Sequence, residues 1–283
     1  MFLLDVPGAR GVHTSASRRA PRHDVGVAEG DTVHATARLL GDRLIGRALT
    51  RTDFRVPRFA AADLSGRTLL EVAARGKHLL MRTDREETIH SHLGMDGSWS
   101  LQRAGDRRRG RPFEIRAVLQ VDGWTAIGYR LRRLDIVRTS RENEVLGDLG
   151  PDPLGADWDA AEAVRRLTAG PDRSIGEALL DQAVIAGPGN VYRSEVCFLA
   201  GVDPRTEVRE VPDPGHVVDL VRSLMEVNRD AGRRSTTGDR RRGHELWVYG
   251  RGGRPCRRCG TPVQRFEVAG RVAYRCPSCQ GSR

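Results

Sequence analysis

The sequence predicts a multi-domain α+β protein. An N-terminal antiparallel β-sandwich with a leading helix is followed by a helical domain and a C-terminal zinc ribbon. Three observations predict this. Seven short strand-like runs, broken by Gly, Asp and Arg turns, stand between residues 48 and 129. Helical patterning takes over from 157 to 245. Near the end Cys256, Cys259, Cys276 and Cys279 give the spacing C-x2-C-x16-C-x2-C.

Residues 1–27 are low in information. They are rich in Ser and Arg and have no periodicity, so they read as a transit peptide, a disordered tail or a mis-assigned start. The last is preferred, for a reason given below. Residues 28–140 form the sandwich domain. Asp31 or Thr32 is expected to cap a helix whose apolar stripe is Val33, Ala37, Leu40 and Leu44. Strands are expected over 48–55, 68–74, 78–82, 88–92, 98–102, 115–120 and 125–129. Residues 141–156, with Gly-Pro-Asp-Pro-Leu-Gly, read as a linker. Helices are expected over 158–167, 174–180, 191–200 and 216–230. Residues 246–283 form the ribbon.

Two close thiolate pairs separated by a hairpin's length can close a tetrahedron around one Zn²⁺. Such a site has no open position, so the zinc is structural and does no chemistry. From 246 to 283 there are eight arginines and one acid, Glu267. A basic zinc hairpin points to nucleic acid. The chain's net charge of +10 agrees, although charge alone does not separate DNA from RNA or a membrane surface. Aromatic residues are only 5 %, which argues against a stacking platform for single strands. The fifth cysteine, Cys197, lies in an apolar stretch and reads as a buried small hydrophobe. This cysteine usage fits a reducing cytoplasm, and no run reaches the roughly 18 apolar residues of a membrane helix. Of 47 basic residues only Lys77 is lysine. Its survival in an arginine-rich chain suggests a site that needs a compact ammonium.

Six motifs occur in order: Ala28-Glu29-Gly30-Asp31; Arg75-Gly76-Lys77-His78-Leu79; Ser91-His92-Leu93-Gly94-Met95-Asp96-Gly97; Ala186-Gly187-Pro188-Gly189-Asn190-Val191-Tyr192; Trp247-Val248-Tyr249-Gly250-Arg251; and the cysteines. Together they resemble the formamidopyrimidine-DNA glycosylase/endonuclease VIII family of DNA glycosylase/AP lyases, in its endonuclease VIII-like actinobacterial branch. The likeness covers residues 28–283. It implies a monomeric bacterial base-excision repair enzyme acting on double-stranded DNA with damaged bases, pyrimidines above all, or abasic sites. The helical region would be a helix–two-turn–helix domain.

The resemblance also implies site residues. The N-terminal amine is the nucleophile, and an α-amine, with pKa about 7.7–8.0, is partly neutral at physiological pH. Glu29 matches the proton-donating carboxylate, although an acid at a helix N-terminus needs no further role. Lys77 and Arg271 match phosphate contacts at the lesion; Arg265 and Arg275 are the alternatives if the hairpin register is shifted. His92 falls in a DNA-contacting motif. Met95 matches the wedge that fills the gap of a flipped base, and otherwise reads as a core methionine. Asn190 is expected to cap a helix whose backbone amides meet a phosphate. One departure stands out. The family begins Met-Pro-Glu-Gly, whereas Ala28 here follows Val27. A chain started at residue 27 and trimmed would expose the Ala28 amine. A blocked N-terminus would leave a non-catalytic damaged-DNA-binding paralogue. A zinc-ribbon regulator of duplex DNA is a further alternative.

Overall fold

The computed structural model describes residues 28–106 and 110–281. The expectations for residues 1–27 lie outside the described residues. Helix α1 (Gly30–Leu44) buries Val33, Ala37, Leu40 and Leu44 on one face, the stripe that a 3.6-residue period requires. Leu40 is fully buried, and truncating it to alanine would cost about 2–5 kcal/mol. The helix begins at least two residues earlier than the sequence suggests. Glu29 takes the cap position without a side-chain cap bond, and Asp31 falls in the first turn.

Eight strands follow: β1 (Arg51–Phe54), β2 (Leu69–Arg75), β3 (His78–Thr83), β4 (Glu87–His92), β5 (Ser98–Arg103), β6 (Ile115–Val121), β7 (Trp124–Tyr129) and β8 (Arg133–Arg138). They make two antiparallel four-stranded sheets, ordered β1-β6-β7-β5 and β2-β3-β4-β8. Strand β8, absent from the sequence-based expectation, pairs with β4 and completes the second sheet. Its Leu134 and Ile136 alternate with Arg133, Asp135 and Val137, too weak a pattern to stand out. Leu40, Leu69, Met81, Ile89, Trp99 and Leu119 share one core between α1 and the sheets.

The helical part contains α2 (Asn143–Leu146), α3 (Ala160–Thr168), α4 (Ile175–Ala178), α5 (Asn190–Leu199) and α6 (Pro214–Arg229). Side-chain caps start three of them: Asp159 for α3, Ser174 for α4 and Asp213 for α6. Helix α5 is the common wall of the molecule. Val196 and Cys197 pack into the helical core, while Phe198 packs against Val248, Cys256, Val263 and Cys276 of the ribbon. Burial pushes the Cys197 thiol up to about 12, so it behaves as the small hydrophobe expected. The ribbon closes with β9 (Gln264–Val268) and β10 (Arg271–Arg275). Ala269 and Gly270 between them both have positive φ, the two-residue turn that matches strand twist. Among the described residues no helix is long and apolar enough to cross a membrane.

Candidate active site and nucleic-acid interface

Three chain segments from two domains meet backbone to backbone. The Gly30 amide donates to the Gly187 carbonyl at 3.0 Å. Gly76, at φ +56°, opens the two-residue turn between β2 and β3 and donates its amide to the buried Asp152 carboxylate at 2.6 Å. A side chain would not fit between these segments. A Cβ on Gly30 would stand 3.0 Å from the Gly187 Cα, and one on Gly189 would stand 2.7 Å from the Glu29 carboxyl carbon. These close approaches put Ala28-Glu29, Lys77 and the start of α5 in one place.

Glu29 is fully buried. Its Oε2 accepts from the Gly189 and Tyr192 amides at 2.9 and 3.3 Å, and its Oε1 from the Val191 amide at 2.8 Å. The carboxyl therefore caps the N-terminus of α5, not of its own helix, where orphan amides and the helix dipole both favour it. Two expectations for Asn190 change as a result. Gly189 takes the cap position, and the amides expected to meet a phosphate are already held by Glu29. The Asn190 Nδ2 donates instead to the Val272 carbonyl of the ribbon at 2.8 Å.

Beside Glu29, Arg234 grips Asp31 through Nε and Nη2 at 2.8 and 2.5 Å, and its Nη1 lies 4.0 Å from Glu29 Oε1. The Tyr192 hydroxyl donates to Asp31 at 3.0 Å. Burial raises the Asp31 pKa, but the Arg234 charge and hydrogen bonds outweigh it and hold the carboxyl below its usual range. Lys77 faces the same cluster. Burial is the main cause that brings its pKa down to about 8; Glu29 opposes the shift, and Arg271 and Arg234 add to it.

Arg271 is the first residue of β10, at the hairpin tip. Helix α5 sets the hairpin's position, because Asn190 and Arg193 both donate to the Val272 carbonyl, Arg193 at 2.6 Å. The register separates the three candidate arginines. Arg275 pairs with Asp203 and donates to Gln264, Arg265 lies opposite Tyr274 on the exposed strand, and Arg271 acts electrostatically on Lys77. Met95 is 72 % exposed on the turn between β4 and β5, which excludes a core role. His92 accepts the Gly94 amide on Nδ1 at 3.0 Å and meets His78 edge-on at 5.1 Å. Burial first, then the Lys77 charge, lowers its pKa to about 4, so it is neutral at physiological pH.

The cysteine set fits zinc. The four Sγ atoms lie within 4.8 Å of one another, with Cys259–Cys276 at 3.4 Å and Cys256–Cys279 at 3.9 Å. A tetrahedron of Zn–S bonds of about 2.3 Å has sulfur–sulfur edges of about 3.8 Å. The metal there would hold the knuckles that carry Arg271.

Sequence reasoning missed Arg234, Tyr192 and Asp152 as parts of this site. Arg234 lies in an aperiodic stretch after α6, and nothing in the local pattern separates it from the other arginines. Asp152 lies in the segment expected as a linker and is fully buried.

Comparison with known proteins agrees with the site. The description "Formamidopyrimidine-DNA glycosylase N-terminal domain" matches residues 27–138, "Formamidopyrimidine-DNA glycosylase H2TH domain" matches 149–239, and "Zinc finger found in FPG and IleRS" matches 253–281. The chain is 52 % identical over 259 residues to a probable endonuclease 8 2 of Streptomyces coelicolor, covering 89 % of this chain and 93 % of that one. It is 46 % identical over 252 residues to the DNA-(apurinic or apyrimidinic site) lyase Nei2 of Mycolicibacterium smegmatis, covering 89 % and 98 %. The solved complex of Lactococcus lactis Fpg with DNA containing an abasic site superposes with a TM-score of 0.77 at 25 % identity, covering 90 % of this chain and all of that one. The chain therefore belongs to the formamidopyrimidine-DNA glycosylase/endonuclease VIII family of DNA glycosylase/AP lyases.

Proposed function

We propose that the protein excises oxidised pyrimidines from duplex DNA and cleaves the strand at the resulting abasic site through a Schiff base on the Ala28 amine. The observation that carries this reading is the convergence of Glu29, Lys77, Arg234 and Arg271 beside Ala28. The family match that begins at residue 27 supports Ala28 as the working N-terminus.

In this reading the neutral amine attacks the sugar C1′ and the glycosidic bond breaks. The base leaves with a proton; the C1′–O4′ bond then breaks, O4′ takes up a proton, and the opened sugar is left as a cationic imine on C1′. The imine acidifies C2′; loss of that proton expels the 3′ phosphate, and a second elimination expels the 5′ phosphate. Glu29 exchanges protons at the sugar and base. Its Oε1 accepts a single amide, which leaves a lone pair for the purpose. Lys77 and Arg271 meet the phosphates flanking the flipped nucleotide. Zinc supplies no chemistry; it keeps the hairpin folded.

The test is base release and nicking on duplexes carrying thymine glycol or 8-oxoguanine, with protein started at Ala28. The reading expects faster release of thymine glycol. Equal or faster release of 8-oxoguanine would overturn the pyrimidine preference, and no release from any lesion would favour the non-catalytic paralogue.

A further inference from the structure

The second sheet carries three histidines and an aspartate on the face turned away from the sandwich core. Strand pairing puts them there. His78 of β3 lies opposite His92 of β4, and His92 opposite Arg133 of β8; two residues along, Leu80 lies opposite His90, and His90 opposite Asp135. Side chains alternate between faces, so these residues share one, while Leu79, Met81, Ile89 and Leu134 point the other way into the core.

Two hydrogen bonds join three of them in a line. The fully buried His90 meets Asp135 Oδ2 through Nδ1 at 3.1 Å and His78 Nδ1 through Nε2 at 2.8 Å. The two ring centroids are 5.0 Å apart with planes at 22°, so the rings meet edge to edge through that bond. The chemistry of the acidic end fixes every proton. A carboxylate only accepts, so the His90 Nδ1 carries a hydrogen and its Nε2 a lone pair. His78 then donates from Nδ1, and its own Nε2 is left with a bare lone pair. That nitrogen reaches solvent on a partly buried ring and has no partner among the described residues. Burial, then His90, His92, Arg133 and Lys77, bring the His78 pKa down to about 3, so the ring is neutral in the free protein.

The groups facing this nitrogen are mostly cationic. Lys77 precedes His78 at the turn, and Arg133 stands across β4. The nearby carboxylates are each held by an arginine: Asp135 by Arg133 at 2.7 Å, Asp157 by Arg75 of β2 at 2.6 Å, and Glu142, behind His90, by Arg82 at 2.7 Å. A neutral acceptor in a basic rim cannot bond a phosphate as it stands. A phosphate arriving beside Lys77 changes this. Its charge favours the imidazolium, Nε2 takes a proton from solvent and donates it to a phosphate oxygen, and Asp135 balances the new charge through His90.

We infer that His78 binds a DNA phosphate next to Lys77 and is charged only in that complex, with His90 and Asp135 as its positioning relay. This rests on the reading that Lys77 meets the DNA backbone. Because the complex holds the proton more tightly than the free protein, affinity rises as pH falls below about 7, by up to about tenfold per pH unit for one proton.

The test is calorimetry of the full chain at pH about 6.5 in two buffers of different ionisation enthalpy, which counts the protons taken up on binding. The duplexes are one with a tetrahydrofuran abasic analogue and the same one undamaged. Wild type is expected to take up about one proton more than His78→Gln. His78→Gln should weaken abasic-duplex binding about tenfold at pH about 6 and less than about threefold at pH about 7.5. Asp135→Asn keeps the acceptor but not the charge, so its proton count should fall below wild type. His92→Gln is the control: that ring is also neutral, and its loss can weaken binding but should leave the count unchanged. Equal counts for wild type and His78→Gln, or a count lost in His92→Gln instead, would overturn the inference. Should Asp135→Asn not fold, the count for the partly exposed His78→Gln still decides. A wild type with no preference for the abasic duplex would overturn the proposed function, whereas the proton count settles this inference on either duplex.

Discussion

Two fully buried glutamates in this molecule are held the same way, and the proposed function gives them different ends. Glu29 accepts the Gly189, Val191 and Tyr192 amides. Glu195 accepts the Trp247, Val248 and Tyr249 amides and the Thr236 hydroxyl. Glu195 sits in a closed joint where Trp247 stacks on Phe198 at 5.4 Å and the Arg258 guanidinium covers both rings. Burial there raises its pKa, and its four donors oppose the rise without cancelling it. Glu29 instead borders Arg234 and acts on Lys77, at the edge that Arg271 also reaches. A carboxylate cradled by amides is thus no sign of catalysis by itself. The cations around Glu29 set the two sites apart.

The comparison is broken most sharply by paired substitutions. In protein started at Ala28, Glu29→Gln is expected to slow base excision about a hundred- to ten-thousand-fold. It should slow cleavage of a pre-formed abasic site much less, because that substrate skips the glycosidic step. Glu195→Gln should instead cost about 1–3 kcal/mol of stability, since an amide NH₂ would face backbone donors. Its two activities should fall together, in step with DNA affinity. Thermal melting and both assays on the two variants decide this. A selective excision defect in Glu195→Gln would erase the distinction drawn between the two sites.

Next in size is the metal. Cys276→Ser is expected to release zinc, measured with a chromogenic chelator, and to unfold the hairpin that holds Arg271. Duplex binding should fall well below wild type. Full-strength binding by the zinc-free variant would contradict the role given to the ribbon.

The smallest effect is the pH response of Lys77. Its pKa of about 8 leaves it charged below that value and neutral above it. Affinity of the wild type for abasic duplex should therefore decline as pH passes about 8. Lys77→Arg should bind and turn over less well at pH 7, because a planar fork replaces a compact ammonium, yet lose this decline. Folding runs the other way. Between about 8 and the ordinary lysine value the unfolded chain binds more protons, so stability from this group rises with pH. A pH-independent wild type would show that Lys77 does not meet a phosphate.

Much of this was legible in the sequence, and the reasons differ by element. The cysteine spacing implies a closed tetrahedral site because ligand geometry is local. The stripe of α1 and most strands follow from periodicity. The Glu29 cradle was not legible. It joins residues 160 or more positions apart, and nothing near Glu29 says that it caps another helix. Arg234 reaches Asp31 across 203 positions and is one arginine among many. Asn190 does start α5, but its side chain turns to the ribbon because Glu29 holds the helix amides.

The central claim is that the Ala28 amine is the nucleophile held beside Glu29, and borohydride trapping on abasic-site DNA tests it most directly. Two proteins are compared, one starting at Ala28 and one shown by mass spectrometry to keep residues 1–27. The account predicts efficient trapping by the first, with the adduct mapped to Ala28, and none by the second, whose Ala28 nitrogen is an amide with a delocalised lone pair. Efficient trapping by the longer protein, with the adduct on Lys77, would contradict it.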